Sequence, residues 1–392
     1  MESLKKVKIL VVTNQFNPDV GGIQRFSEEL AKFLSNKCGC VYVCTLKTQF
    51  PSNNDHKYIL HNILVPISWI KNQILYFVIN SLLLLKLAIK LKPDLILSAN
   101  YYPTSILCFF PLLILRKKHI VYTHGSEFMI KKRAFIRHLT ELTDKKIDFI
   151  IFNSGYTLRV ARKNNFFRNI KNHAVIHPVL PSSYLYKIVS LARNKRPSNN
   201  RGRPIRFLTV CRITRRKGIH KVIKALNELK HTLNSRVKYT IVGDGNIKYV
   251  QELKKMIELC KLSDVIMFRG TLRGIALFNE FISSDIFVMP SYKTDNERFE
   301  SFGIVYVEAL CAGLVVIVSK ESGGAELKSY FHNRVILVDP YDSNSIKNGI
   351  LKAIDETKAR NSHYDLSKDL ARYFDLIKSR WLRAITFVIN NR

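Results

Sequence analysis

A chain of 392 residues exceeds the size at which one hydrophobic core stops growing, and its 47% hydrophobic content excludes a disordered tract. Formal net charge is +33, unevenly spread: residues 1–200 hold 30 Lys+Arg against 10 Asp+Glu, net +20, and the remainder 33 against 20, net +13. Such a surface calls for an anionic partner, whether a phosphate-bearing substrate, anionic lipid headgroups or nucleic acid. Seven cysteines are too few for a disulfide framework at this length. Cys40-Val-Tyr-Val-Cys44 alternates as a strand does, so its thiols suit packing better than a zinc cage. No His or Cys pair elsewhere has metal spacing, and the thiols read as reduced and cytosolic.

The N-terminus passes from Met-Glu-Ser-Leu-Lys-Lys directly into an apolar strand at 7–13, too short for a signal h-region with a cleavage site. Gly21-Gly22 follows in a turn, and 23–34 has helical periodicity. Strand, glycine turn and helix deliver backbone N–H groups and a helix dipole to an anion. A full G-x-G-x-x-G is absent, so there is no dinucleotide fingerprint. A second strand covers 41–46, a long apolar helix 72–90, a strand 94–98, a helix 104–115 and a strand 119–123. The apolar runs 73–85 and 106–115 fall short of the ~20 residues a spanning helix needs. They read as buried helices or as surfaces that touch a membrane without crossing it.

The strand at 119–123 ends in Thr123-His124-Gly125. Side chains at the C-terminal ends of parallel strands line the ligand crevice of open α/β sheets, which makes His124 a site residue. Strands at 149–152 and near 175–178 close this half. The run 187–204, basic and bearing Pro and Gly, reads as an interdomain linker centred on 190–204.

The alternation then restarts. Strands at 207–210, 239–242, 265–268, 286–291, 314–319 and 335–338 alternate with helices at 219–229, 250–260 and 275–283. Strands spaced by helices of 10–15 residues predict a parallel sheet with right-handed crossovers. The expectation is α/β with two doubly wound Rossmann-like domains, 1–200 and 205–365, facing a deep cleft. A final helical segment, 366–392, has a face with which to pack back across that cleft.

Three features carry chemistry. Arg212 and Lys217, on the loop after the first strand of the second half, suit a diphosphate: a fork of donors and a point charge. Ser301 is a good N-cap, which puts Glu300 at a helix mouth and Glu308 about two turns along that helix. Two carboxylates so placed suit a hydroxyl-rich ligand, with the helix N-terminus near Gly303 adding N–H groups and dipole.

On these residues the sequence resembles the retaining nucleotide-sugar glycosyltransferases of the GT-B fold, the family-4 group. The Glu-x7-Glu pattern of Glu300 and Glu308 is the strongest mark. Arg212 with Lys217-Gly218, Gly243-Asp244-Gly245, Met289-Pro290-Ser291, Gly323-Gly324-Ala325-Glu326, Thr123-His124-Gly125 and Gly21-Gly22 occur in the family's order, so the match spans nearly the whole chain. The resemblance implies roles. Arg212 and Lys217 neutralise the departing nucleoside diphosphate without a divalent metal or other cofactor, and Gly22 brings its backbone to the phosphates or acceptor. His124 faces the donor sugar and Glu300 its hydroxyls. Phe302, Gly303 and Ile304 offer main-chain donors, Glu308 binds ribose, and Arg269-Gly270 the base. The donor is a UDP-, GDP- or ADP-sugar. The sequence departs from the family in having Cys211 where the strand before Arg212 usually ends in Gly, and in lacking Pro before Glu326.

The first half of such enzymes generally binds the acceptor, and here it carries the clusters Arg116-Lys117-Lys118, Lys131-Lys132-Arg133 and Lys145-Lys146. These imply a peripheral enzyme on the anionic cytoplasmic leaflet that extends a lipid-linked glycan in envelope polysaccharide or lipopolysaccharide synthesis. The charge alone equally serves a nucleic-acid-binding protein, but no helix-turn-helix, RNA-binding sheet signature or zinc finger is present, so no specific nucleic acid is expected. A GT-B protein that binds nucleotide-sugar without turnover and an inverting GT-B enzyme are the remaining alternatives.

Overall fold

The first strand, Lys8–Val12 (β1), runs without polar alternation, and all but Lys8 are fully buried, as a strand covered on both faces must be. The computed structural model describes residues 2–16, 22–46, 58–66, 70, 72–129, 134–167, 170–180, 182–193, 203–233, 236–294, 299–358 and 366–391. The chain divides into two compact units, residues 1–181 with 374–392, and residues 182–373.

In the first unit β1 is followed by Gly22–Ser35 (α1), Cys40–Leu46 (β2), Ile59–Leu64 (β3), Gln73–Leu91 (α2) and Leu95–Ser98 (β4). Thr104–Leu107 (α3), Phe109–Leu115 (α4), Lys118–Thr123 (β5), Ala134–Asp144 (α5), Phe149–Phe152 (β6), Gly155–Lys163 (α6) and His173–Val175 (β7) complete the run. The seven strands are all parallel in the order β3-β2-β1-β4-β5-β6-β7. The strand order therefore reverses between β1 and β4. β3 escapes the sequence reading because His61 and Asn62 interrupt its apolar pattern, which an edge strand tolerates. The helix expected at 104–115 is two, broken at Cys108.

By length and composition α2 is capable of crossing a membrane, contrary to the reading of its apolar run as too short. Its middle is nonetheless core. Asn80 is fully buried, accepts from Val65 N at 2.6 Å and donates to Val65 O and Tyr76 O. Ser81 Oγ accepts from Phe110 N at 3.1 Å, tying α4 to α2.

The second unit comprises Ser182–Arg193 (α7), Ile205–Val210 (β8), Ile219–Glu228 (α8), Lys230–Leu233 (α9), Val237–Val242 (β9), Ile247–Leu259 (α10) and Ile266–Gly270 (β10). Gly274–Ser283 (α11), Ile286–Met289 (β11), Ile304–Cys311 (α12), Val315–Ser319 (β12), Val335–Val338 (β13) and Ser343–Lys358 (α13) follow. Its six strands are again all parallel, in the order β10-β9-β8-β11-β12-β13, and reverse between β8 and β11.

The boundary falls at 181/182, not near 200. The reason is α7: its Leu185 and Ile188 are buried, it packs against α11 and α12, and Lys187 Nζ lies 5.8 Å from the centre of the Phe278 ring. The basic text after it, 194–202, falls outside the described residues. The last helix, Leu366–Asn390 (α14), begins in the second unit and passes to the first after Tyr373. In the first unit its Trp381 is fully buried and stacked on Tyr122, with ring centres 5.4 Å apart.

Candidate active site

In open α/β sheets a ligand sits beyond the strand C-termini where the strand order reverses. In the second unit that point lies between β8 and β11, and the loop after β8 is built to bring positive charge there. Ile213 bridges to Gly245, and Ile213 N donates to Asp244 O at 2.7 Å, so the loop starts tied to the turn after β9. Arg215–Lys217 then make one tight turn closed by Gly218 at φ +75°. A Cβ at Gly218 would lie 2.4 Å from the Pro290 carbonyl oxygen, so the turn presses directly on the chain leaving β11.

That closeness sets Lys217 against Glu300. Lys217, 7% exposed as a residue, donates from its ammonium to Glu300 Oε2, and Arg216 Nη1 reaches the same oxygen at 3.2 Å. Burial by itself would raise the Glu300 carboxyl; the charges of Lys217 and Arg216 outweigh it and hold the group below its ordinary value. Glu300 is therefore an ionised carboxylate paired with two cations.

The helix next to this cluster starts later than the sequence suggested. Its cap is Gly303, at φ +84°, not Ser301, and no side chain caps it. Glu300 thus sits on the approach to α12, and the first-turn N–H groups are left without a capping side chain. Glycine is required at 303 for conformation and for space. A Cβ there would meet the Tyr306 ring at 2.5 Å, and one at Gly324 would meet the same ring at 2.6 Å. Tyr306 is a fully buried wedge between the two glycine turns, its hydroxyl donating to Met289 O at 2.8 Å. Gly323 N donates to Glu300 O at 3.1 Å, so the Gly-Gly turn also fixes the Glu300 backbone.

The other expected donor residues are placed as follows. Arg212 is exposed and has no ion pair or hydrogen bond among the described residues; Arg216, which the sequence reading passed over, is the arginine beside Lys217 and Glu300. Only the basic run Arg215-Arg216-Lys217 signalled it. Arg269 and Gly270 are the exposed end of β10 instead of a turn, and Arg269 Nε is paired to Glu280 on α11 at 3.0 Å. Phe302 is buried, Ile304 opens α12, and Glu308 is buried on that helix's second turn. Cys211 takes the usual glycine's place without strain: it is not among the residues at positive φ, and its N–H continues the ladder to Val242 O at 3.0 Å. Residues 295–298 fall outside the described residues.

In the first unit His124 caps β5 at the crevice end of the sheet. Its ring is buried edge-on to Phe26 and Tyr122, with centres 5.2 and 5.0 Å away. A carbonyl only accepts, so the 3.0 Å contact of Nε2 with Ala99 O places the proton on Nε2 and leaves Nδ1 as the acceptor. Burial lowers the imidazole's pKa, only partly offset by Glu127, whose Oε1 accepts from His124 N at 2.8 Å. His124 is a neutral, oriented ring. Gly22 is the exposed first residue of α1, and Gly21 falls outside the described residues.

Two doubly wound parallel-sheet units in one chain, the second with its charged cluster at the strand-reversal point, fit the GT-B class of fold. The comparisons agree. A solved structure of Anabaena HepE in complex with UDP superposes with a TM-score of 0.71 at 18% identity, covering 97% of this chain and 100% of that one. Residues 20–179 match the family model Glycosyltransferase Family 4, and 192–368 match Glycosyl transferases group 1. The chain belongs to the family-4 GT-B glycosyltransferases. An uncharacterised glycosyltransferase of Methanocaldococcus jannaschii is 24% identical over 94% of this chain and 95% of its own. A GDP-mannose-dependent monoacylated alpha-(1-6)-phosphatidylinositol monomannoside mannosyltransferase of Corynebacterium glutamicum is 24% identical over 81% of this chain and 82% of its own.

Proposed function

We propose that this glycosyltransferase moves a sugar from a nucleoside-diphosphate sugar to a hydroxyl of a lipid-linked glycan in envelope polysaccharide or lipopolysaccharide synthesis, with retention of configuration and without a divalent metal. The observation that carries it is the pairing of buried Lys217 and Arg216 with Glu300 at the β8/β11 reversal, beside an uncapped helix start. In this reading the diphosphate takes up the cationic side of the cluster, with Arg212 closing over it from solvent. The bond from the anomeric carbon to the diphosphate oxygen breaks while the acceptor oxygen bonds on the same face. The acceptor's proton passes to the departing oxygen, whose new charge the cations stabilise.

Glu300, released toward the sugar, accepts from its hydroxyls, Glu308 accepts from the ribose, and Gly303 and Ile304 donate main-chain N–H groups. His124 and Gly22 keep the roles toward sugar and phosphate that the resemblance implies, and Arg269-Gly270 that toward the base. Action on an acyl-bearing acceptor is supported by the Corynebacterium relative, a mannosyltransferase of a phosphatidylinositol mannoside, and the basic first half favours the inner face of the cytoplasmic membrane.

A donor screen with UDP-, GDP- and ADP-sugars in EDTA tests the reading. One nucleoside diphosphate should raise the melting temperature, its sugar should be hydrolysed slowly, and the released or transferred sugar should keep its anomeric configuration. Loss of turnover in EDTA with recovery on adding Mg²⁺ would rule out metal independence, and an inverted product would rule out retention.

A further inference from the structure

We infer that the outer face of α2, with the neighbouring end of α4, is a lipid-contact surface that enters the headgroup and upper acyl region of an anionic bilayer while the rest of the unit stays in water. The helix has two clean faces. Tyr76, Phe77, Asn80, Leu84, Leu87 and Ala88 are buried on one. Leu75, Val78, Leu82 and Ile89, at spacings of three, four and seven, form an exposed stripe on the other, each between 38% and 54% accessible. On α4 Leu113 and Ile114 are similarly bare, and the Phe110–Ser81 hydrogen bond holds that helix against α2. A soluble surface rarely gathers so many large aliphatic side chains on adjoining helices without something to cover them.

Composition selects the occupant. The stripe is aliphatic, and among the described residues the charges on α2 and flanking both helices are mainly cations: exposed Lys86 lies on the stripe, Lys90 and Lys92 follow near its C-terminal end ahead of Asp94, and Arg116 follows α4. Neither helix contains an acidic residue. Protein interfaces favour aromatic residues, Met and Arg and are depleted in Lys, whereas aliphatic side chains with lysines at their margin are the composition of helices lying in a bilayer interface. Lysine stems let the ammonium reach the phosphates while the aliphatic face goes deeper. Of the basic clusters noted in the sequence, Arg116 belongs to this surface, Lys118 is paired to Asp148 at 3.3 Å, and 131–133 fall outside the described residues. This surface is argued without reference to the transfer reaction.

The test is co-sedimentation of the full chain with vesicles of phosphatidylglycerol and phosphatidylethanolamine, and of phosphatidylcholine alone, at low salt and at about 1 M salt, where screening extends to roughly 3 Å. The wild type should bind the anionic vesicles and keep a substantial fraction bound at high salt. The variant Leu75→Ser/Leu82→Ser/Ile89→Ser should partition at least tenfold less, with the high-salt fraction gone. Lys86→Gln/Lys90→Gln/Lys92→Gln should lose mainly the low-salt increment. Because the triple serine variant alters three positions of one helix, the single Leu82→Trp gives a second readout: its emission should shift to the blue on adding anionic vesicles. An unshifted Leu82→Trp spectrum, or serine-variant binding equal to wild type, would overturn the inference. So would a dimer in solution that the serine substitutions dissociate, since the occupant would then be a second copy. Donor binding and hydrolysis, followed in parallel without lipid, separate failure here from failure of the proposed reaction.

Discussion

Lys217 and Glu300, 83 positions apart in the chain, form a largely buried ion pair where the loops after β8 and β11 come together, and Arg216 shares the same carboxylate oxygen. One partner cannot be removed without stranding the other. Lys217→Ala should therefore cost about 3 kcal/mol of stability, the lower end for breaking a buried pair because Arg216 remains. Transfer should fall by roughly 10²–10³, as when one donor to a developing oxyanion is lost. Arg212→Ala, at an exposed position with no partner among the described residues, should leave stability within about 0.5 kcal/mol and raise the donor KM. Denaturant unfolding and steady-state kinetics on both variants check this; equal losses of stability would contradict the assignment of the buried role to Lys217.

The same pair has a pH signature. The folded Glu300 carboxyl titrates below its ordinary value because its two cations outweigh burial. As pH falls the unfolded chain takes up this proton first. The stabilisation is thus complete above about 4.5 and is lost as pH drops through the folded value. Comparing urea midpoints of wild type and Glu300→Gln between about pH 7 and pH 3 should show a gap that closes on the acid side. A gap constant across that range would mean that the carboxylate's charge contributes nothing to the fold.

Much of this architecture was legible from periodicity. Apolar runs such as Ile286–Met289 and Val335–Val338 fall where they were expected, because strands buried on both faces have no polar partner to blur them. The misses have physical causes. Ser301 has the chemistry of a cap, but the chain turns through a left-handed Gly303 first, and the pressure for that comes from Tyr306, a contact that sequence spacing does not reveal. Arg212 and Arg216 lie on one short loop; only the turn closed by Gly218 decides which of them goes inside. The run from 187 reads as linker because its tail is basic and polar, which hides that 187–193 are the second half of α7, anchored by buried Leu185 and Ile188.

Tyr306 acts by position. Its ring fills the space that Cβ atoms at 303 and 324 would need, so it sets the path of both turns near Glu300. Tyr306→Phe keeps the ring and removes the hydroxyl that bonds Met289 O and faces Ser291, and should cost about 1 kcal/mol while transfer stays near wild type. Tyr306→Ala should cost about 3–5 kcal/mol by leaving a cavity, and should raise the donor KM more than it lowers kcat. Gly324→Ala, which pushes a methyl into the ring, should show the same KM effect with a smaller stability loss. If Tyr306→Phe proved as damaging as Tyr306→Ala, the hydroxyl and not the ring would be the working part.

The last helix is made part of the first unit by one side chain above others. Trp381 is fully buried against Tyr122, which stacks on Phe26 at 4.2 Å, and both of those rings stand edge-on to His124. Trp381→Ala should cost about 3–5 kcal/mol, read as faster amide exchange in β1 and β5 rather than in the second unit's sheet. It should also move His124. Burial is what lowers that imidazole, so water admitted to the vacated space should raise its pKa toward the ordinary 6.5. The depressed value means that this histidine's contribution to stability is complete above about 6.5 and declines as pH falls toward the folded value; the variant should lose stability less steeply over that interval. Ring-proton chemical shifts followed through the titration measure the first effect, and urea midpoints at matched pH the second. Trp381→Phe, which keeps most of the stack, should fall between the two proteins on both scales.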